Sequence, residues 1–136
     1  MKKYLSLLFF ISVLFMGISL QAQTSYTNEQ ISVEKLHCYP NPFNNKSEVA
    51  KIYFEITSKV DLEDVKITAV VFNYNGKKVW TKLIEKKNLN KGTNVFKIKW
   101  GGENDLGVKV PKGFYYVKVI VESNNTVYKI TKVIIK

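Results

Sequence analysis

The chain has 136 residues, 21 basic against 11 acidic side chains for a formal charge of +10, and 46% hydrophobic residues with one cysteine and one histidine. Every cation is lysine, so the two-pronged arginine readout of phosphate or guanine is missing and specific nucleic-acid binding is not expected. A lone cysteine cannot form an intramolecular disulfide, which leaves stability to packing.

Met1-Lys2-Lys3 is a basic start, Leu5 to Leu20 is almost unbroken hydrophobic, and Gln21-Ala22-Gln23 turns polar. That is the anatomy of a secretory signal peptide over residues 1–22, to be cut by signal peptidase after Ala22. The apolar run is shorter than the ~20 residues of a membrane span. The expected localisation is therefore export, through a periplasm in transit to the cell surface or medium. Without Lys2 and Lys3 the charge is still +8, which suits weak association with an anionic cell surface. Lysines on water-facing strands equally serve to discourage edge pairing. Cys38 lies too far beyond the hydrophobic run, and behind too large a residue, His37, to be a lipoprotein acylation site.

Residues 23–38 read as a short leader with a first strand at Ile31 to Tyr39, and 39–136 as one domain, a length that supports a single core. In Tyr39-Pro40-Asn41-Pro42-Phe43-Asn44 two prolines are expected to hold the chain extended and let Phe43 tuck under a sheet. Lys51 to Thr57 alternates, Ile52, Phe54 and Ile56 against Lys51, Tyr53, Glu55 and Thr57, as a half-buried strand does. Val65 to Tyr74 repeats the pattern, with Val65, Ile67, Ala69 and Val71 on the core face. Asn75-Gly76 predicts a type I′ hairpin turn into a strand over Lys78 to Glu85. Asn90-Lys91-Gly92 makes the next turn. Val95 to Trp100 points Phe96, Ile98 and Trp100 inward, and Tyr115 to Glu122 and Val127 to Ile135 form a last hairpin.

Between the last two groups lies Trp100 to Tyr116, on which the chain is organised. Gly101, Gly102, Gly107 and Gly113 together with Pro111 punctuate one long connection, and positive φ is expected at Gly107 or Gly113. Trp100, Phe114, Tyr115 and Tyr116 are expected to cap the core. About seven strands and no helical period predict an all-β antiparallel sandwich.

Chemistry is harder to find. His37 and Cys38 are neighbours in a strand and so point to opposite faces, which prevents a Cys-His nucleophile pair; the expectation is a protein that is not an enzyme and holds no cofactor. Asp61, Glu63 and Asp64, or Glu103 and Asp105 beside Asn104, offer oxygen ligands for calcium, but without the spacing of an EF-hand they read more simply as turn residues. Tyr53, Tyr74 and Trp80 are the aromatics expected to face outward.

Tyr39-Pro40-Asn41-Pro42-Phe43-Asn44, Val71-Phe72-Asn73-Tyr74-Asn75-Gly76-Lys77-Lys78-Val79, Trp100-Gly101-Gly102 with Gly107, Val110, Gly113 and Tyr115, and the closing Lys132-Val133-Ile134-Ile135-Lys136 occur in that order. This pattern resembles the immunoglobulin-like domain of flagellar hook-capping proteins and the type A C-terminal sorting domains of type IX secretion in Bacteroidetes. The resemblance implies a seven-stranded immunoglobulin-like sandwich, read as a folded signal by the outer-membrane type IX translocon and clipped by a sortase-like peptidase. Lys132 to Lys136 would then be the sorting strand. A stand-alone structural or binding subunit of a cell-envelope or outer-membrane complex is the alternative.

Overall fold

The computed structural model describes residues 30–136; the signal segment 1–22 and the leader up to residue 29 lie outside the described residues. Seven strands follow one another: β1 (Ile31–Tyr39), β2 (Ala50–Ser58), β3 (Leu62–Asn73), β4 (Lys78–Leu89), β5 (Gly92–Trp100), β6 (Gly113–Glu122) and β7 (Thr126–Ile135). They form two antiparallel sheets, β1-β2-β5 and β4-β3-β6-β7. No helix occurs among the described residues. The fold is an all-β sandwich.

Alternation decides which side of each strand is dry. On β2, Ile52, Phe54 and Ile56 are fully buried, and on β3 so are Val65, Ile67, Ala69 and Val71. β6 adds Val117, Val119 and Val121, and β7 adds Val133 and Ile135. Because one residue of slip would turn every one of these side chains into water, the apolar pattern fixes the register. On β5 the inward residues Phe96 and Ile98 are only half-buried, since this strand is a sheet edge. Phe96 is held there by stacking on Phe54, with centroids 5.2 Å apart and planes at 14°.

β1 solves a parity problem. Its buried residues are Ile31 and Val33, then Leu36 and Cys38, an odd pair followed by an even pair that no regular strand can put on one face. The register against β2 slips between Glu34 and His37, and Lys35 takes φ +40°. This bulge absorbs one residue and returns Leu36 and Cys38 to the core.

Three expectations need correction here. The strand after the Asn75-Gly76 turn runs past Glu85 to Leu89, because Leu89 is buried and pairs with Leu62. Trp80 does not face outward: it is half-buried, with its ring 6.4 Å from that of Trp100. Phe114 and Tyr116 do not cap the core. They alternate with Tyr115 along β6, and are 53% and 40% exposed while Tyr115 is buried.

Candidate functional site

The last strand is held along both of its edges. β6 pairs with it from Gly113↔Ile135 to Glu122↔Thr126. Along the other edge lies the segment that leaves β1. Tyr39-Pro40 and Asn41-Pro42 are both cis, and the backbone bends there instead of running extended as expected. Asn41 then reaches β7: its Oδ1 accepts from the Ile134 amide at 2.9 Å, and its Nδ2 donates to the Lys132 carbonyl at 3.0 Å. Two residues on, the Phe43 amide donates to the Ile134 carbonyl at 2.9 Å, and the Lys136 amide donates to the Phe43 carbonyl at 3.0 Å, a short parallel bridge. Lys132 to Lys136, the end of an edge strand, is therefore bonded on both sides, with Val133 and Ile135 in the core, Ile134 half-buried and the Lys132 and Lys136 side chains exposed.

Phe43 does tuck under the sheet, where it meets Trp100. Both are fully buried, with centroids 5.7 Å apart in an edge-on arrangement. Tyr115 meets Trp100 from another side at 5.7 Å, also edge-on, and its hydroxyl donates to the Pro111 carbonyl at 2.7 Å. That bond back along the chain from the start of a strand is the tyrosine corner of β-sandwiches. Trp100 Nε1 donates to the Glu103 carbonyl at 2.8 Å, so the buried indole leaves no donor unpaired.

The connection 101–112 folds as a small hairpin closed by Val110 to Gly102 and Asn104 to Val108 backbone bonds, both 2.8 Å. Gly102 has φ +75°, and a Cβ there would lie 2.5 Å from the Asn45 Cβ, so only glycine fits. Asn45 was not legible as important. It is 7% exposed, and its Nδ2 donates to the Gly102 and Val110 carbonyls at 3.2 and 2.9 Å. These partners are 57 and 65 residues away in sequence, and a buried asparagine in an Asn-rich loop looks locally like any other turn residue. Gly101 is similarly enclosed, by Glu103 and Lys109, whose Nζ donates to the Gly101 carbonyl at 2.7 Å. Gly107 and Gly113 both take positive φ, +80° and +148°.

Asn75-Gly76 does form a hairpin, but not of the two-residue kind. Only Gly76 has positive φ, at +78°, and the Gly76 amide returns to the Asn73 carbonyl at 2.9 Å. This is a type I turn followed by a left-handed glycine, the three-residue loop. Asn73 Oδ1 fixes it by accepting from the amides of Asn75 and Lys77.

Three of the acids considered for calcium, Asp61, Glu103 and Asp105, have other partners. Asp105 Oδ1 accepts from the Thr81 amide at 2.7 Å and its own amide donates to the Val79 carbonyl at 3.0 Å, docking the loop tip on the free edge of β4. Asp61 Oδ1 accepts from the Lys91 amide at 2.7 Å. Among the described residues no three His, Cys, Asp or Glu side chains gather closely enough to hold a metal ion. Cys38 is buried while His37 faces solvent, and burial pushes the thiol up to about 12, which keeps it protonated.

The outer face of the four-stranded sheet is more apolar than its position in water requires. Phe114, Tyr116, Tyr128 and Ile130 stand exposed side by side on β6 and β7, and Leu83 extends the exposed set on β4. Lys118 lies 4.1 Å from the Tyr128 ring centroid and Lys132 lies 5.3 Å from that of Phe114, so cations cover part of the aromatic surface.

These features define a two-sheet β-sandwich with a tied-in last strand and an apolar outer face. No family model matches the chain, and no curated protein does. Solved structures share the fold. A domain of dimeric latent PorU from Porphyromonas gingivalis aligns with TM-score 0.59 and 21% identity, over 77% of this chain and 9% of that one. The alkylpurine DNA glycosylase AlkC of Pseudomonas fluorescens aligns with TM-score 0.57 and 14% identity, over 79% and 30%. The CARDB domain of PF1109 from Pyrococcus furiosus aligns with TM-score 0.51 and 14% identity, over 78% and 87%. This chain thus spans less than a third of the AlkC and PorU chains. Identities this low establish the shared fold alone.

Proposed function

We propose that this chain carries a non-enzymatic, immunoglobulin-like sandwich that works as a C-terminal sorting and anchoring module of type IX secretion. An outer-membrane translocon reads it as a folded signal, after signal peptidase has acted and before a sortase-like peptidase clips it. The observation that carries this reading is the bonding of Asn41 and Phe43 to Lys132, Ile134 and Lys136. The two motifs farthest apart in the resemblance form one physical unit, so the signal exists only when the whole domain has folded. Strand order and the Tyr115 to Pro111 corner support the immunoglobulin-like assignment. The PorU sandwich, embedded in a far longer latent protein, is the neighbour that fits the type IX resemblance.

The exposed apolar face of β6 and β7 favours a second reading, a structural or binding subunit that docks by this face within an envelope complex. Cell fractionation with intact-mass measurement, in cells with and without a functional type IX translocon, separates the two. Surface or extracellular protein that disappears without the translocon supports sorting. Periplasmic or membrane-associated protein that is unchanged supports the docking subunit.

A further inference from the structure

On the opposite side of the sandwich, the outer face of β1-β2-β5 carries a second, chemically different surface. Two adjacent cross-strand rows lie there: His37, Tyr53 and Lys97, then Tyr39, Lys51 and Lys99. They line a shallow concavity of about 400 Å³. Lys51, Lys97 and Lys99 are all exposed, and none makes an ion pair among the described residues. The next row holds two carboxylates: Glu55 accepts from the Tyr53 hydroxyl and from Lys35, and Glu34, opposite it on β1, accepts from the Ser32 hydroxyl at 2.7 Å. Three neighbouring cations therefore stand without an ion-pair partner among the described residues.

The aromatic groups are arranged beside the cations. Tyr39 is 71% exposed. The Tyr53 ring is braced by His37 at 4.8 Å between centroids, with Lys97 Nζ 5.9 Å from its centre. β2, the central strand of this sheet, is paired on both sides by β1 and β5, so a ligand lying across the two rows meets side chains and no free backbone edge. Recognition has to come from side chains, and those present are aromatic faces, ammonium donors and an imidazole. Three strands and two rows cover about 10 Å by 7 Å, the footprint of one or two sugar rings. We propose that this face is a binding site for an anionic saccharide, in which Tyr39 stacks on a pyranose ring and Lys51, Lys97 and Lys99 pair with its carboxylate or phosphate groups.

The test is NMR titration of the folded exported chain at low and physiological salt, with trigalacturonate, mannose 6-phosphate, cellotriose, inorganic phosphate and hexaglutamate as probes. The expected result is saturable binding of trigalacturonate, mannose 6-phosphate or both, with shifts centred on His37, Tyr39, Tyr53 and Lys97. Which of the two binds more tightly tells carboxylate from phosphate as the recognised group. Cellotriose should bind about tenfold more weakly, the size of one lost charged contact. Lys51→Gln, Lys97→Gln and Lys99→Gln should each weaken binding severalfold, and Tyr39→Ala should weaken the saccharides but leave inorganic phosphate unaffected. All four positions are exposed, and unchanged melting temperatures verify that the variants fold. Equal binding of cellotriose, of inorganic phosphate or of hexaglutamate would overturn the proposal, as would shifts confined to the β6-β7 face or no binding by any saccharide.

Discussion

Asn41 and Ile134 are 93 residues apart in sequence, yet the side chain of the first bonds the backbone amide of the second at 2.9 Å. With its other arm on the Lys132 carbonyl, the Asn41 amide takes the place that a further strand would fill. It shields the end of an edge strand that would otherwise present free backbone groups.

Asn41→Ala should therefore destabilise the domain by about 1–3 kcal/mol, through one lost donor and one lost acceptor at the β7 edge. Urea denaturation measures the cost, and hydrogen exchange should locate it, with faster exchange at Ile134. Asn41→Asp keeps the acceptor for Ile134 but sets a carboxylate oxygen against the Lys132 carbonyl, so it should destabilise too, and less once the carboxyl is protonated at low pH and can donate.

Trp100 is the aromatic that Phe43, Tyr115 and Trp80 all contact. Trp100→Ala should cost about 3–5 kcal/mol, the range for a large buried aromatic removed from a core. A loss under about 1 kcal/mol in the same denaturation experiment would mean that the indole is not what the core is built on.

Gly102→Ala and Gly107→Ala separate two effects at the same kind of backbone. Both glycines have positive φ, but a Cβ at Gly102 collides with Asn45 whereas one at Gly107 meets nothing within 4 Å. Gly107→Ala should cost about 1 kcal/mol for the left-handed conformation alone. Gly102→Ala should cost clearly more, and should weaken the Asn45 bonds as well.

Glu55 provides a test by pH. The Tyr53 hydroxyl first, and Lys35 second, hold its carboxyl below the usual carboxylate range. A lowered folded-state pKa stabilises the protein above the unfolded value, about 4.3 for glutamate, and that contribution is lost as pH falls through the folded value. The stability difference between the parent and Tyr53→Phe should thus be present at pH 7 and shrink below about pH 4. A difference that is constant across this range would remove the Tyr53 to Glu55 bond from the account.

Much of the fold was legible because alternation is a local signal: β2, β3, β5, β6 and β7 follow from which residues are apolar at every second position. What failed depended on distance or on one backbone angle. Trp80 reads as outward until β4 is seen to bulge against β3 between Val71 and Phe72. The parity change in β1, from Ile31 and Val33 to Leu36 and Cys38, is a broken period in the sequence, but the expectation was a plain strand, and the bulge at Lys35 emerged only from the register against β2. Asn75-Gly76 gave the hairpin but not its type, which turned on Asn75 keeping negative φ. In the candidate site, Phe43 and the apolar last strand were legible, whereas the Asn41 and Asn45 bonds were not, because their partners lie 57 to 93 residues away in sequence.

The central claim, that the last strand completes the fold and thereby the sorting signal, is tested most directly by thermal stability measured beside surface display, for the parent, for a deletion of Thr131 to Lys136 and for Lys136→Ala. The deletion removes Val133 and Ile135 from the core and every bond to Asn41 and Phe43, so it should abolish cooperative unfolding and display together. Lys136→Ala keeps the backbone bond to Phe43 and should leave both almost unchanged. A truncated protein that still melts cooperatively near the parent temperature and reaches the surface normally would contradict the account.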